Sequence, residues 1–144
     1  MKEVELYGKS YDVDIKELYL YHNKITVICK DVGNLVNLRI LHLSNNKITE
    51  ICKEIENLVN LKYLYLTYNK ITEICSEIRN LVNLRTLYLG HNNIQNLTEI
   101  FQSMQYMRQL THVSVNTNDN NPLINYIKRI NNRVNKHIRC LFRL

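Results

Sequence analysis

The chain has 144 residues, of which 45% are hydrophobic and 22% are charged, and its formal net charge is +6. This length and composition predict a single folded domain with a hydrophobic core. No apolar stretch approaches the roughly 18 residues that a membrane-spanning helix needs. Residues 1–121 contain 13 basic and 13 acidic side chains, so residues 122–144 supply the whole excess of positive charge. On net charge alone, electrostatic binding is expected at this C-terminal segment.

The first 14 residues are interpreted as an N-terminal capping segment, in which the alternation from Val4 to Leu6 predicts a short strand. The start of the chain lacks the apolar run of a secretory signal, and the four cysteines do not form a secreted disulfide pattern. A cytoplasmic, intracellular protein is therefore expected. Asn, Ile, Lys and Tyr share AT-rich codons, and an origin in a virus or parasite would place the protein in the host cytoplasm.

From residue 15 to residue 121 the sequence repeats with a period of 23 residues. The same position is marked in four successive units by Leu18, Leu41, Leu64 and Leu87, and in a fifth, degenerate unit by Val113, displaced by three residues. A unit this small cannot bury its own apolar face, so the period predicts a stack of units with one continuous core. The Leu-x-Leu alternation within each unit predicts a short strand, and successive strands then form a parallel sheet.

The repeated unit resembles the leucine-rich repeat, whose pattern is L-x-x-L-x-L-x-x-N-x-L. Its second copy reads LRILHLSNNKI over residues 38–48, and the match recurs over residues 15–121. The repeat length is similar to that of intracellular Ras-group-related repeat proteins, which usually have Pro where Cys29, Cys52 and Cys75 stand here. The resemblance implies an α/β fold: a leucine-rich-repeat solenoid, shaped as a short right-handed horseshoe with its parallel sheet on the concave face. It also implies a protein-binding function.

Two further sets of positions predict how the units pack. A column of amides is expected to bond to the backbone where the chain turns off each strand; it comprises Asn23, Asn46, Asn69, Asn92 and Asn118. On the convex side, short helical turns are predicted at residues 55–58 and 78–81. A longer helix is predicted in the fourth unit, from the spacing of Leu97, Phe101, Met104 and Met107.

The residues beside and between the two leucines of each strand are expected to point outward onto the concave face. Six of the ten Tyr and four of the five His fall on this surface. Tyr suits recognition because it combines a large area, few rotamers and one polar tip. The alternative is that Tyr is simply common in strands. The predicted partner-binding residues are Tyr19, Tyr21, His42, Tyr63, Tyr65, Tyr68, Tyr88 and His91.

No arrangement of residues in the sequence indicates a catalytic or metal site. The His residues of the concave face have no Cys, Asp or Glu at ligand spacing, and no Ser/His/Asp grouping or phosphate-binding Gly loop is present. Cys29, Cys52 and Cys75 recur beside a core Ile, which predicts a column of buried thiols rather than a zinc site or disulfides. We therefore expect a protein that is not an enzyme and has no cofactor or metal.

Charged residues also recur once per unit. Basic residues stand before the strands at Lys16, Arg39, Lys62 and Arg85, and after them at Lys24, Lys47 and Lys70. Acidic residues follow on the convex turns at Glu50, Glu54, Glu73 and Glu77. Mixed charge of this kind is typical of a solvated surface, and the alternative is an edge that attracts an acidic partner.

Residues 122–144 are predicted to form a basic amphipathic C-terminal capping helix, because apolar residues recur there at spacings of three and four. Its basic residues are Lys128, Arg129, Arg133, Lys136, Arg139 and Arg143. They are interpreted as the solvated side of the cap. The alternative is an adaptor whose basic helix binds nucleic acid or an anionic lipid surface.

The function expected from these patterns is protein–protein interaction without catalysis. A monomer is expected to bind a protein partner through the Tyr/His-rich concave face, and no small-molecule substrate is expected. Binding through the tyrosines should depend little on ionic strength, whereas binding through the basic tail should weaken steeply as salt is added.

Overall fold

The computed structural model describes residues 2–104, 106–115 and 139–142. The chain begins with an antiparallel hairpin of β1 (Glu3–Leu6) and β2 (Lys9–Asp12). Between the two strands, Tyr7 and Gly8 turn the chain with positive φ values of 52° and 75°. The strand predicted from the alternation at Val4 and Leu6 is present, and the second strand of the hairpin was not predicted.

The repeats form a parallel sheet with one short strand from each unit, as the Leu-x-Leu alternation predicts. Its strands are β3 (Glu17–Tyr19), β5 (Ile40–His42), β7 (Tyr63–Tyr65), β8 (Thr86–Tyr88) and β9 (His112–Val115). Neighbouring strands pair in register, so that Leu41 lies between Leu18 and Leu64. Residues 23 positions apart in the sequence therefore lie one strand apart in the sheet, at about 4.8 Å. We call the outward side of this sheet the concave face.

The core lies behind the sheet and runs the length of the stack. Leu41, Leu64 and Leu87 point into it and have no exposed surface. Each unit adds a second Leu after its strand and isoleucines on the return path, and together they form one cluster from Val4 to Val115. Burying a Leu side chain stabilises the fold by about 2 kcal/mol. The stack is therefore stabilised by small, repeated increments along its length.

The convex side is made of very short elements. A two-stranded parallel sheet pairs β4 (Val27–Ile28) with β6 (Glu50–Ile51). Single 3₁₀ turns follow at Lys30–Asn34, Lys53–Asn57 and Ser76–Asn80. The fourth unit has an α-helix, α1 (Leu97–Met104). The predicted helical turns and the longer fourth-unit helix are thus confirmed. No helix of the described residues is long and apolar enough to cross a membrane.

The column of Asn side chains joins each repeat to the one before it. The Oδ1 of Asn46 accepts a hydrogen bond from the backbone N–H of Ile25 at 3.0 Å, and its Nδ2 donates to the carbonyl of Leu20 at 2.8 Å. Asn69 and Asn92 make the equivalent bonds one and two repeats later. These amides satisfy backbone groups that the turns bury, which is the structural role predicted for the column.

The first member of the Asn column differs from the members in its middle. Asn23 is exposed, and its Nδ2 donates to the carbonyl of Tyr21 at 2.9 Å. Asn23 has this local bond because no earlier repeat lies beside it. Asn118, the last predicted member, lies outside the described residues.

Cys29, Cys52 and Cys75 form the predicted column, but their thiols are free and half-buried rather than fully buried. The Sγ of Cys52 donates to the carbonyl of Cys29 at 3.5 Å, and the Sγ of Cys75 points at the carbonyl of Cys52 at 3.9 Å. Burial raises the pKa of Cys52 to about 11. Cys52 therefore stays a protonated thiol at neutral pH.

The C-terminal segment differs from its prediction where it is described. Arg139–Phe142 is a strand, β10, that pairs in parallel with β9 and becomes the outermost strand of a six-stranded sheet. A helix is therefore wrong for these four residues, because the open hydrogen-bonding edge of β9 outweighs a weak helical pattern. The rest of the predicted capping helix, 122–138 and 143–144, lies outside the described residues.

Candidate functional site

The concave face exposes aromatic side chains beside buried leucines. In the first repeat Tyr19 and Tyr21 are 51% and 49% exposed, whereas Leu18 and Leu20 are 3% and 4% exposed. This difference follows from the pleat of a strand, which points alternate residues to opposite sides of the sheet. The predicted assignment of inward and outward residues is therefore confirmed for this repeat.

Five of these side chains form a continuous line across four strands, which we call the aromatic row: Tyr19, Tyr21, His42, Tyr65 and Tyr88. The ring centroid of His42 lies 5.1 Å from that of Tyr21 and 4.8 Å from that of Tyr65. Tyr65 in turn stacks on Tyr88, with centroids 5.2 Å apart and 21° between the planes. The row arises because residues one repeat apart are neighbours in the sheet, at a distance that suits ring contacts.

A second aromatic contact lies on the turns that follow the strands. Tyr68 and His91, which we call the edge pair, stack with centroids 3.9 Å apart and 6° between the planes. Both have a left-handed backbone, as do His22 and Asn45 at the same position of the two earlier repeats. Each of the first four repeats therefore turns off its strand through one strained residue. That residue carries a ring in the first, third and fourth repeats, and in the third and fourth repeats the two rings stack.

Tyr63 is the eighth predicted residue, and it lies beside the aromatic row. It points to the same side of β7 as Tyr65 and is in register with Ile40 and Thr86. Its side chain is half-buried. All eight predicted partner-binding residues thus lie on the concave face or its turns, in three sets: the aromatic row, the edge pair and Tyr63.

The pKa values of three side chains in the aromatic row are shifted in the direction that favours the uncharged form. Burial lowers the pKa of His42 below its ordinary value of 6.5, and the nearby His22 lowers it further. The hydroxyl of Tyr19 donates to Glu17 Oε2 at 2.9 Å, and this hydrogen bond raises the pKa of Tyr19. Burial also raises the pKa of Tyr65. The face therefore offers neutral rings, phenol hydroxyls and a neutral imidazole, which suit recognition rather than acid–base chemistry.

The described residues contain no group of three or more His, Cys, Asp or Glu side chains placed to hold a metal ion. Of the six basic residues of the tail, one lies among the described residues. Arg139 contributes its backbone to β10. Lys128, Arg129, Arg133, Lys136 and Arg143 lie outside the described residues.

Tyr7 has a role that the sequence analysis did not predict. Its hydroxyl donates to the carbonyl of Val27 at 3.1 Å and accepts from the backbone N–H of Cys29 at 3.3 Å. Burial raises the pKa of Tyr7. The hairpin thus covers the first repeat partly through this tyrosine. Tyr7 precedes the periodic region, so the repeat pattern carried no signal for it.

The sequence profile described as the leucine-rich repeat region matches residues 14–132. The chain belongs to the leucine-rich repeat family. Proteins of this family generally mediate protein–protein interactions and are typically non-enzymatic interaction modules. A search of curated proteins finds no match to the chain.

Several solved structures are similar to the chain. A leucine-rich repeat protein of Leptospira interrogans is 38% identical, with a TM-score of 0.61, over 67% of this chain and 24% of that protein. The internalin InlF of Listeria monocytogenes is 27% identical, with a TM-score of 0.61, over 82% of this chain and 42% of the internalin. A TLR13–ssRNA13 complex matches at 26% identity and a TM-score of 0.70, over 88% of this chain and 18% of TLR13. The chain spans less than half the length of each of these proteins.

Proposed function

We propose that the chain binds a protein partner through the aromatic row and the residues around it. One observation supports this most directly: five rings in mutual contact occupy the outward side of four successive strands, and Tyr19 and Tyr21 keep about half of their surface exposed. An aligned set of exposed aromatic side chains is the kind of surface from which binding hot spots are built.

The rigidity of the row also supports the proposal. Each ring is held by contacts to its neighbours, so a partner orders little that is not already ordered. His42 is neutral at pH 7, so burying it under a partner removes no charge from water. A preformed aromatic surface suits a protein partner whose side chains replace water around these rings.

The test is affinity capture from an extract of the source cells, followed by titration of the isolated partner against purified variants. The site variant is Tyr63→Ala/Tyr65→Ala/Tyr88→Ala. The matched control is Val36→Ala/Val59→Ala/Val82→Ala, which also truncates one partly exposed side chain in each of three repeats. Circular dichroism of both variants is the check that they fold.

We expect the tyrosine variant to weaken the affinity for the partner at least tenfold, or about 1.4 kcal/mol. The valine variant should bind as the unaltered chain does. Equal loss of affinity in both variants, or no loss in the tyrosine variant, would contradict the proposal.

An intracellular location is a further part of the proposal. It is supported by Cys29, Cys52 and Cys75, which are free thiols stacked one per repeat with no disulfide between them. A reducing compartment prevents such neighbouring thiols from forming disulfides. Expression of a fluorescent fusion in the source cells, with imaging of the compartment it occupies, tests this statement.

A further inference from the structure

Two columns of basic side chains lie on either side of the aromatic row. The first basic column precedes the strands and comprises Lys16, Arg39, Lys62 and Arg85. The second basic column follows the turns and comprises Lys24, Lys47 and Lys70. All of these side chains are exposed except that of Lys62, which is half-buried.

The backbone holds each column in register. The N–H of Arg39 donates to the carbonyl of Lys16 at 2.7 Å, that of Lys62 to Arg39 at 2.8 Å, and that of Arg85 to Lys62 at 2.9 Å. Successive members are therefore one strand apart, about 4.8 Å. Like charges at this separation repel each other, and no rearrangement of the strands relieves that repulsion. An anion that lies along the column removes it.

The acidic residues of the repeats lie on the other side of the stack. Asp31, Glu54 and Glu77 occupy the same position of the three 3₁₀ turns. Glu50 and Glu73 lie near β6, also on the convex side. The same turns also carry Lys30, Lys53 and Arg79, so the convex side is mixed in charge with an excess of acidic residues.

The concave face itself has little negative charge. Among the outward-pointing residues of β3, β5, β7, β8 and β9, all of them described, Glu17 is the one acid, and its carboxylate already accepts a hydrogen bond from Tyr19. It lies at the first strand, away from the middle of both basic columns. The potential over the aromatic row from β5 to β8 is therefore set by basic side chains on both sides.

The way in which the rings stack determines what they offer a ligand. Tyr65 lies against Tyr88, and Tyr68 lies against His91, so neighbouring rings cover part of each other's faces. Ring edges, which are electropositive, and the phenol hydroxyls are then left to contact a ligand. Carboxylates are complementary to both. Stacking of nucleobases needs open ring faces, which the stacked pairs offer only in part.

We propose that the segment of the partner bound on the concave face is an extended, acidic stretch of protein. Its Asp and Glu carboxylates lie between the two basic columns and accept hydrogen bonds from the tyrosine hydroxyls. The row from β3 to β8 spans three strand spacings, about 14 Å, which corresponds to roughly four residues of extended chain. This inference rests on the proposed function and adds the chemistry of the partner.

The test uses synthetic probes and fluorescence anisotropy with the full chain. The probes are a labelled peptide of alternating Glu and Ser, the same peptide with Gln for Glu, and labelled oligothymidylate. The column variant is Arg39→Glu/Lys62→Glu/Arg85→Glu. The matched control, Lys9→Glu/Lys30→Glu/Lys53→Glu, changes the net charge equally at exposed lysines outside both basic columns. Both variants keep the basic tail, so binding by the tail affects them alike.

We expect the Glu peptide to bind the unaltered chain at low ionic strength and the Gln peptide to bind at least tenfold more weakly. The column variant should weaken binding of the Glu peptide at least tenfold, and the control should change it less than twofold. Absence of binding, equal binding of both peptides or equal effects of the two variants overturns the inference. Tighter, column-dependent binding of oligothymidylate also overturns it, in favour of a nucleic acid.

The partner isolated by affinity capture separates this inference from the proposed function. If the tyrosine variant loses that partner while the column variant keeps it, the proposed binding site on the concave face is supported and the proposal of an acidic segment is wrong. If neither variant loses it, the concave face is not the site and both statements fail.

Discussion

The rings of Tyr68 and His91, one repeat apart, stack with centroids 3.9 Å apart although both backbones are left-handed, with φ of 58° and 55°. That backbone costs a non-glycine residue about 1 kcal/mol, and Asn tolerates it better than other side chains do. Asn45 occupies the same position one repeat earlier, with φ of 57°. The third and fourth repeats, like the first with His22, thus carry rings where a smaller side chain suits the backbone better.

We expect Tyr68→Asn to change the free energy of unfolding little. Relief of backbone strain, about 1 kcal/mol, offsets the loss of the ring stack, also about 1 kcal/mol. Tyr68→Ala loses the stack and keeps the strain, so its free energy of unfolding should be lower than that of Tyr68→Asn by about 1 kcal/mol. Urea denaturation of the two variants measures this difference. Equal stabilities would show that the left-handed backbone is not strained here.

Asn69→Ala should destabilise the fold by about 3 kcal/mol. The substitution leaves the N–H of Ile48 without its partner at 2.9 Å, and it removes one of the two amide donors to each of the carbonyls of Leu43 and Leu66. Each buried polar group left unsatisfied costs about 1–3 kcal/mol. Asn23→Ala, at the exposed start of the same column, is the control and should cost less than about 0.5 kcal/mol. Urea denaturation compares the two, and similar losses would refute the inter-repeat role of Asn69.

Leu64 and Tyr65 are adjacent in β7 and test the assignment of the two faces. Leu64 has no exposed surface, so Leu64→Ala should lower the free energy of unfolding by about 2–5 kcal/mol. Tyr65→Ala loses its stack with Tyr88 but leaves the core filled, so we expect about 1 kcal/mol. Thermal denaturation ranks the two variants. The binding assay should rank them in the reverse order, and a Tyr65→Ala chain that fails to fold would contradict the assignment.

His42 should make stability depend on pH on the acidic side. Because its pKa in the folded chain is below the ordinary 6.5, protons bind the unfolded chain more readily. The resulting stability is complete above pH 6.5 and is lost as pH falls from 6.5 through the lowered pKa. Urea denaturation between about pH 7 and about pH 5 should show a smaller loss for His42→Gln than for the unaltered chain.

The cause of the lowered pKa can be separated by a second variant. In an NMR titration of the His42 ring, His22→Gln should raise the pKa of His42 only part of the way towards 6.5, because burial is the larger cause and His22 the smaller one. A full return to 6.5 would make His22 the main cause instead. Loss of the charge at His22 leaves the contacts of His42 with Tyr21 and Tyr65 in place.

Cys52 should react slowly with alkylating reagents. Its pKa of about 11 lies above the ordinary 9.0, so its thiolate fraction at neutral to mildly alkaline pH is about a hundredfold lower. A more basic thiolate is more nucleophilic, which reduces the expected effect on the rate to roughly tenfold. Alkylation of folded and urea-unfolded chain, with mass spectrometry to identify Cys52, measures the ratio. Equal rates would show that the thiol is more accessible than the fold indicates.

The repeat-level features follow from periodicity alone. The strands at Leu18 and its equivalents are predictable because two leucines stand at alternate positions in every 23-residue unit. In a strand, alternate residues point to the same side, so this side must face the core. The Asn column is predictable because one residue type recurs where the chain must turn. The helix in the fourth unit is predictable because apolar spacing changes there from alternation to three and four.

Features outside the period were not predictable in the same way. The strand Lys9–Asp12 has no apolar alternation, and it forms because β1 and the turn at Gly8 bring it alongside. The strand Arg139–Phe142 forms because β9 offers an open edge, which no pattern within the segment reveals. At the site, sequence places Tyr65 and Tyr88 in neighbouring strands, but their stacking depends on side-chain angles that tertiary contacts set.

The Asn bonds between repeats have a direction that bears on how the chain is made. Asn46 completes the turn at Ile25, Asn69 completes the turn at Ile48, and Asn92 completes the turn at Ile71. In each case the amide comes from the later repeat. Synthesis runs from the N-terminus, so each of these turns leaves the ribosome one repeat before the Asn side chain that completes its hydrogen bonds. The turn of each repeat therefore lacks these side-chain hydrogen bonds until the next repeat has been synthesised.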